Sequence, residues 1–380
     1  MNTHRDAFGR GGMSAGSDDP QLDLDRLDRG GRPPSGWHAH TWINEVLADI
    51  GLLGTGQGSS SDRSRVEERS IRVLRERRCP LVVGDLADVG GTTRTVVAKA
   101  YRDDRGATTL TLLHWLSSGG LGRGLFRVTA GLGWSPSFRV LVTECAPGEA
   151  WSDLLVQAGP RLEIASAAVG GWLRTLQGVT NGHMGVRVPN RADYRAGADM
   201  LAQATRLGDQ YPAFACRLEE LTREALAVSA ASAVRETTFV PSHGDLHPHN
   251  VHIDFREADV FVTALDLDTG GLRRPSYDVG YAVAQLLIMS VMRCGSFLPG
   301  AMAAEAFWST VDDPARPGCA DRGAVGAQVC RALVQSLHYE LVTLRNGRED
   351  LLPAWCGVAE EALSDGISEM LGRLLRGWRP

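Results

Sequence analysis

The sequence predicts an α+β protein of two lobes, a small strand-rich one followed by a large, mostly helical one. Three observations predict it. Short β-branched and apolar runs gather between residues 70 and 143, helical stretches dominate after residue 150, and the break Ala146-Pro147-Gly148 separates the two regions. A cleft between two such lobes is a natural place for a ligand.

Residues 1 to about 36 are rich in Gly, Asp, Arg, Ser and Pro without periodicity and read as a flexible tail. His40 to Leu53 is compatible with a short helix, and Gly54 to Ser61 is a Gly/Ser linker, so residues 1–61 are set apart from the rest of the chain. The small lobe is assigned to 62–143. Its strand candidates are Ser70 to Arg75, Leu81 to Leu86 and Arg94 to Tyr101, with Asp88-Val89-Gly90-Gly91 as the turn joining the last two. A helix from Ala107 to Ser117 and a strand from Phe138 to Thr143 complete it. Residues 144–148 form a hinge. The helical lobe, 149–380, is expected to hold helices at Trp151 to Gln157, Ile164 to Gln177, Arg191 to Arg206 and Ala213 to Val234. A compact β segment is expected at Thr238 to Asp268, and helices resume from Tyr277.

Composition excludes several classes. With 43% hydrophobic and 22% charged residues the chain is an ordinary globular one. A net charge of −5 without a basic run gives no footprint for nucleic acid. Seven scattered cysteines, with no CxxC pair, indicate neither a disulfide framework nor a thiolate zinc site. No apolar segment near the N-terminus suits a signal peptide, and the apolar run Val279 to Met292 is too short to span a bilayer and reads as a buried helix. A cytoplasmic location, with no membrane partner, is the expectation. Positive charge is carried almost wholly by arginine: Lys99, in the run TVVAKAY, is the only lysine. Because an ammonium is a compact point charge and a guanidinium a rigid planar fork, its survival suggests a position that needs the former.

The most informative stretch is HGDLHPHNVHIDFREADVFVTALDLDTGG, His243 to Gly271. Val251 to Phe255 and Val260 to Leu265 read as strands of a hairpin around Arg256-Glu257-Ala258-Asp259. Centring the turn on Ala258 sets Asn250 opposite Asp266, about 4.5–5.5 Å apart at Cα. Asp245 lies five residues before Asn250 on the same loop. A carboxamide and two carboxylates meeting at one point suit a hard cation such as Mg²⁺, which takes few protein oxygens and keeps room for water and phosphate. The four histidines His243, His247, His249 and His252 invite a zinc reading, but their spacing fits no tetrahedral or metalloprotease pattern. His243 is better explained as a residue that hydrogen-bonds the backbone of the loop. Trp151, Trp172, Trp308 and Trp355 are expected in the core rather than in a pocket.

The segment resembles the aminoglycoside phosphotransferase and choline kinase family, whose signature is H-G-D-x-x-x-x-N, a short hairpin and then a metal-binding aspartate. His243-Gly244-Asp245, Asn250 and Asp266 match it, and Pro275-Ser276-Tyr277-Asp278 resembles the family's P-x-Y-D motif. The resemblance extends to Lys99 in VVAK and to Thr143 to Gly148, and spans about residues 68 to 345. It implies a protein-kinase-like phosphotransferase fold with ATP and Mg²⁺ as cofactors. It further implies Asp245 as catalytic aspartate, Asn250 and Asp266 as Mg²⁺ ligands, and Lys99 on the ATP phosphates. Glu144 and Cys145 would sit at the adenine-binding hinge, while His243 and Asp278 would brace the catalytic loop. The acceptor would be a small-molecule hydroxyl, because the dozen residues from Asp266 to Asp278 lack DFG and APE and leave no space for the activation loop of protein kinases. An aminoglycoside, another sugar, an amino alcohol and a related metabolite are all compatible, with Asp193, Asp199, Asp312 and Asp313 as acidic candidates for a cationic one.

Two departures from the pattern support an alternative, an impaired kinase-like module that binds nucleotide or metabolite. No glutamate lies between Lys99 and Glu144 to pair with the lysine, leaving only Asp103 and Asp104, and the turn Arg75-Glu76-Arg77-Arg78-Cys79-Pro80 has no glycine.

Overall fold

The computed structural model of the chain describes residues 39–53, 65–66, 70–75, 80–87, 92–180, 196–315 and 319–377. The tail, the linker, the two turns at 76–79 and 88–91, and Asp193 lie outside the described residues. The order of elements begins with α1 (Ala39–Asp49), β1 (Arg65–Val66), β2 (Arg72–Arg75), β3 (Leu81–Ala87), β4 (Thr93–Ala100) and α2 (Arg105–Leu116). It continues with β5 (Phe126–Val128), β6 (Gly131–Ser135), β7 (Val140–Glu144) and β8 (Glu149–Ala150). Four helices come next: α3 (Trp151–Gln157), α4 (Pro160–Gln177), α5 (Ala196–Gln210) and α6 (Ala215–Ser232). Then come β9 (Val240–Ser242), β10 (Val251–Arg256), β11 (Asp259–Ala264) and β12 (Gly271–Arg273). The chain closes with α7 (Ser276–Cys294), α8 (Leu298–Val311), α9 (Arg322–Leu337), α10 (Leu351–Ser364) and α11 (Ile367–Leu375).

The first sheet runs β1-β3-β4-β7-β6, with β2 also on β3, and every pairing in it is antiparallel. Period-two alternation gives it two different faces. Val82, Leu86, Val96, Ala98, Ala100, Val140 and Val142 are buried together with Trp42, Ile43, Val46 and Leu47 of α1. The intervening residues Leu81, Val83, Val97, Lys99, Leu141 and Thr143 point the other way and line a cavity. Helix α1 thus seals one face of the sheet, leaving the opposite face for a ligand.

Two strands in this region have weak sequence signals. Strand β6 is glycine-rich, and β5 joins a different sheet altogether, pairing in parallel with β11 (Val262 opposite Phe126) in the order β5-β11-β10-β8. This second sheet carries the hairpin β10–β11, and β9 pairs with β12 nearby. Around them the helices bury a continuous core. Thirteen residues of α7, from Ser276 to Val291, are buried, so the apolar run there is a buried helix. Trp151, Trp172, Trp308 and Trp355 are all in that core, the first three with their indole N–H bonded to Ser166 Oγ, Arg127 O and Ser368 Oγ. No helix among the described residues is long and apolar enough to cross a membrane.

The connection from sheet to helices is set by Gly148. It has φ +86°, and a Cβ there would come within 2.1 Å of the Ile253 carbonyl oxygen of β10, so only glycine fits the crossing. The seal over the first sheet gives a direct test. Leu47→Ala should destabilise the protein by about 2–5 kcal/mol through a cavity under β3, β4 and β7, read as an earlier thermal or denaturant transition.

Candidate active site

Asp245 is placed by a loop with almost no freedom. Gly244 has φ +82°, and a Cβ on it would lie 2.3 Å from the Thr269 carbonyl oxygen. The backbone amides of His243 and Gly244 donate to the two oxygens of Asp278 at 2.7 and 2.9 Å. Asp278 is 1% exposed, so both charge-assisted bonds are made away from water. His243 is fully buried. Its Nδ1 accepts from the Asp245 amide at 3.3 Å, which leaves the ring proton on Nε2 to donate to Leu265 O at 2.8 Å. One imidazole thereby joins the loop to the end of β11.

The hairpin register differs by one residue from the sequence expectation. Val251 pairs with Ala264 and Arg256 with Asp259, so the turn is Glu257-Ala258 alone, and the Leu265 amide donates to Asn250 O at 2.8 Å. Asn250 is therefore opposite Leu265, not Asp266. A one-residue slip reverses the side of a strand on which a side chain falls, yet Asp266 still reaches the site. It has left the strand, with left-handed backbone angles of φ 54°, ψ 59° that open a short 3₁₀ turn over Leu267–Thr269.

The result is a cavity of about 510 Å³ lined by Lys99, Asn250, Asp266 and Asp268 at one end and by Thr143, Glu144, Cys145 and Ala146 at the other. Lys99 Nζ donates to Asp266 Oδ1 and Asp268 Oδ2, both at 2.7 Å. Asp268 Oδ1 accepts from the hydroxyls of Tyr101 at 2.6 Å and Thr109 at 3.2 Å. Burial opposes the charge on Lys99, but the two carboxylates outweigh it and hold the ammonium above its ordinary pKa. Burial likewise opposes the Asp266 carboxylate, and Lys99 more than compensates, lowering its pKa. Asp103 and Asp104 do not serve as partners for the lysine: they pair with Arg105 and Arg139.

At the hinge end, the Glu144 amide donates to Ala130 O and the Cys145 amide to Thr95 O, both at 2.9 Å. Those two donors are committed within the protein. Of the four histidines, His247 and His249 are in edge contact, with ring centroids 5.8 Å apart. His247 Nδ1 accepts from the His249 amide, His249 Nδ1 faces Ser152 Oγ at 2.8 Å, and His252 Nδ1 has no partner among the described residues. No group of three or more His, Cys, Asp or Glu among the described residues is arranged to hold a metal ion.

The side chains around Asp245 line this cavity and another. Asp245 Oδ2 is 3.4 Å from Asn250 Nδ2 and 3.7 Å from His247 Nε2, and its Oδ1 accepts from Tyr281 Oη at 2.7 Å. Tyr281, with His247 and residues of α5, α7 and α9, lines a second cavity of about 800 Å³. Nothing in the His-Gly-Asp motif points to Tyr281, but helix spacing does. It stands three residues after Asp278 on α7, hence on the same face. Asp278 holds the loop backbone and Tyr281 the loop carboxylate.

The brace predicts a stability effect. Asp278→Ala leaves two buried amides without acceptors and should cost about 3 kcal/mol, whereas Asp278→Asn keeps one oxygen and should cost less. Denaturant unfolding of the two variants measures the difference.

The comparisons agree with this architecture. Residues 88–317, more than half of the chain, match the model of the phosphotransferase enzyme family. No curated protein matches the chain. Among solved structures, choline kinase from Cryptosporidium parvum Iowa II is similar over 89% of this chain and 99% of its own, with a TM-score of 0.54 at 10% identity. APH(2")-IIia, solved as a GDP and kanamycin complex, is similar over 86% of this chain and 99% of its own, with a TM-score of 0.52 at 15% identity. At such identities the likeness establishes the two-lobed, protein-kinase-like fold. The family match supplies the activity. The chain belongs to the phosphotransferase enzyme family and is a small-molecule kinase that phosphorylates a hydroxyl group.

Proposed function

We propose that the chain transfers the γ-phosphoryl group of ATP to the hydroxyl of a small molecule, with Asp245 as catalytic residue. The observation that carries this reading is one carboxylate whose neighbours line two cavities, Asn250 the one beside Lys99, and Tyr281 and His247 the other. The 510 Å³ cavity, flanked by Lys99 and the hinge, takes the nucleotide, with Glu144 and Cys145 beside the base. Since both their amides are committed, contact there falls to the Cys145 carbonyl and to side chains. The 800 Å³ cavity takes the acceptor.

The donor atoms fit Mg²⁺. Asn250 spends its Nδ2 on Asp245 O at 3.1 Å, which leaves its carbonyl oxygen for a cation, and the Asp266 carboxylate lines the same cavity. These two residues would hold a magnesium ion, which would supply positive charge to offset that of the nucleotide phosphates. Lys99 fixes the nucleotide phosphates, and the pair Asp266 and Asp268 holds its ammonium at the mouth of the site meanwhile. Asp245 orients the acceptor hydroxyl and takes its proton as the new O–P bond forms, and the departing ADP leaves with the electron pair of the old one. Tyr281 and Asn250 fix the plane of that carboxylate. Positioning and preorganised charge then account for most of the acceleration. Lys99 does not lack a carboxylate partner: Asp268 stands beside it where a helix glutamate is absent. The ground for an impaired module is weakened accordingly.

Two substitutions test the reading. Asp245→Asn should lower acceptor-dependent ADP release by about 10²–10⁴-fold while leaving nucleotide affinity nearly intact. Retained turnover would remove Asp245 from the reaction. Lys99→Arg keeps the charge but replaces a compact ammonium with a planar fork, and should reduce turnover on the order of 10²-fold through misplaced phosphate contacts. Unchanged kinetics would show that any cation suffices there.

A further inference from the structure

The chemistry of the second cavity narrows the acceptor, given the reading that Asp245 receives a hydroxyl from that side. Its polar lining is dominated by groups that carry no charge. Three are the side-chain amides of Gln203, Gln285 and Gln335, and three are the imidazoles of His247, His249 and His338. Burial of the His338 ring lowers its pKa, which favours the neutral form there. An amide and a neutral imidazole each donate and accept hydrogen bonds, and so does a hydroxyl. A wall of such groups matches several hydroxyls in any orientation. His338 Nε2 has no partner among the described residues, an open place for one of them.

A polycationic acceptor needs carboxylates instead, since ammonium groups donate only. Glu340 is the one carboxylate among the described residues lining this cavity, and it already accepts from Asn346 Nδ2. Burial also raises its pKa, weakening its claim on a cation. Arg293 on the same wall is a cation already paired with Asp153, and adds no carboxylate. The acidic candidates elsewhere do not contribute: Asp312 and Asp313 pair with Arg322 and Arg174, and Asp199 is exposed on α5 away from the lining. Ile288, Met289 and Met292 along α7 add an apolar strip beside the hydroxyls of Tyr281, Ser336 and Tyr339. Such a surface suits the C–H face of a ring.

We infer that the acceptor is an uncharged, polyhydroxylated ring compound, a neutral glycoside or cyclic polyol, and not a polycationic amino sugar. The hydroxyls are read by neutral amides and imidazoles, one ring face lies on α7, and the reacting hydroxyl meets Asp245.

The test uses the full chain with ADP and Mg²⁺ and matched pairs of ligands that differ only in amine against hydroxyl, such as methyl glucoside with methyl glucosaminide and inositol with its aminodeoxy analogue. Calorimetry should give at least tenfold tighter binding for the neutral member of each pair. Equal affinities, a preference for the amines, or binding of no neutral member at millimolar concentration would overturn the inference. Gln335→Glu adds a carboxylate to the wall and should shift the ratio toward the amines by about tenfold. A ratio that does not move counts against the cavity as the binding place. Because binding is read apart from turnover, the phosphotransfer reading fails separately, through absence of phosphorylated product by mass from a ligand that binds.

Discussion

Lys99 sits between Asp266 and Asp268 at 2.7 Å from each, and this arrangement binds the two parts of the chain together at the site. The lysine belongs to the central strand of the first sheet, and the aspartates belong to a turn after the β10–β11 hairpin, 167 and 169 residues later. A cation shared by two carboxylates is strongest where water is scarce, and here all three side chains are partly enclosed. Tyr101 and Thr109 add hydroxyl donors to Asp268, so β4, the start of α2 and the post-hairpin turn converge on one carboxylate. The usual glutamate from the neighbouring helix has no counterpart, and the charge that fixes the lysine comes from the other side of the cleft.

The rest of the site is built outward from a short stretch of backbone. Gly244 permits a turn that no other residue could make against Thr269, Asp278 absorbs the two amides this exposes, and His243 links the loop to β11. Each group is buried and saturated with partners, so Asp245 is presented by a rigid frame. Its own two oxygens are met by Asn250 and Tyr281, which line two different cavities. Rigid support with an accessible carboxylate is what a residue that must orient a mobile hydroxyl requires.

How much of this was legible in the sequence depended on the range of the interactions. The lobes, the buried α7 and the gathering of Asn250 and Asp266 in one cavity come from local pattern, and the sheet strands near Lys99 fall within a residue or two of their expected places. The hairpin register was not legible, because the choice between a two-residue and a wider turn depends on Glu257 adopting φ 52°, which is not marked by a glycine or asparagine. Strand β5 could not be read either. Three residues without alternation become a strand only through parallel pairing with β11, some 136 positions away, as Val262 opposite Phe126 shows. Asp268 was visible as an acidic residue near the motif, but its attachment to Lys99 depends on the left-handed bend at Asp266. The acidic residues flagged for a cationic acceptor illustrate the opposite limit: charge is visible in sequence, whereas prior engagement by an arginine is not.

The scarcity of lysine has a chemical corollary. With a single ε-amine in the whole chain, an amine-selective reagent that spares the α-amine has one side chain to attack, and that side chain is at the heart of the cleft. Acylation consumes the unprotonated amine, and the flanking aspartates keep that form rare. The labelling rate of the intact protein is therefore a clean reporter on whether those two carboxylates still embrace the ammonium, with no background from a decorated surface.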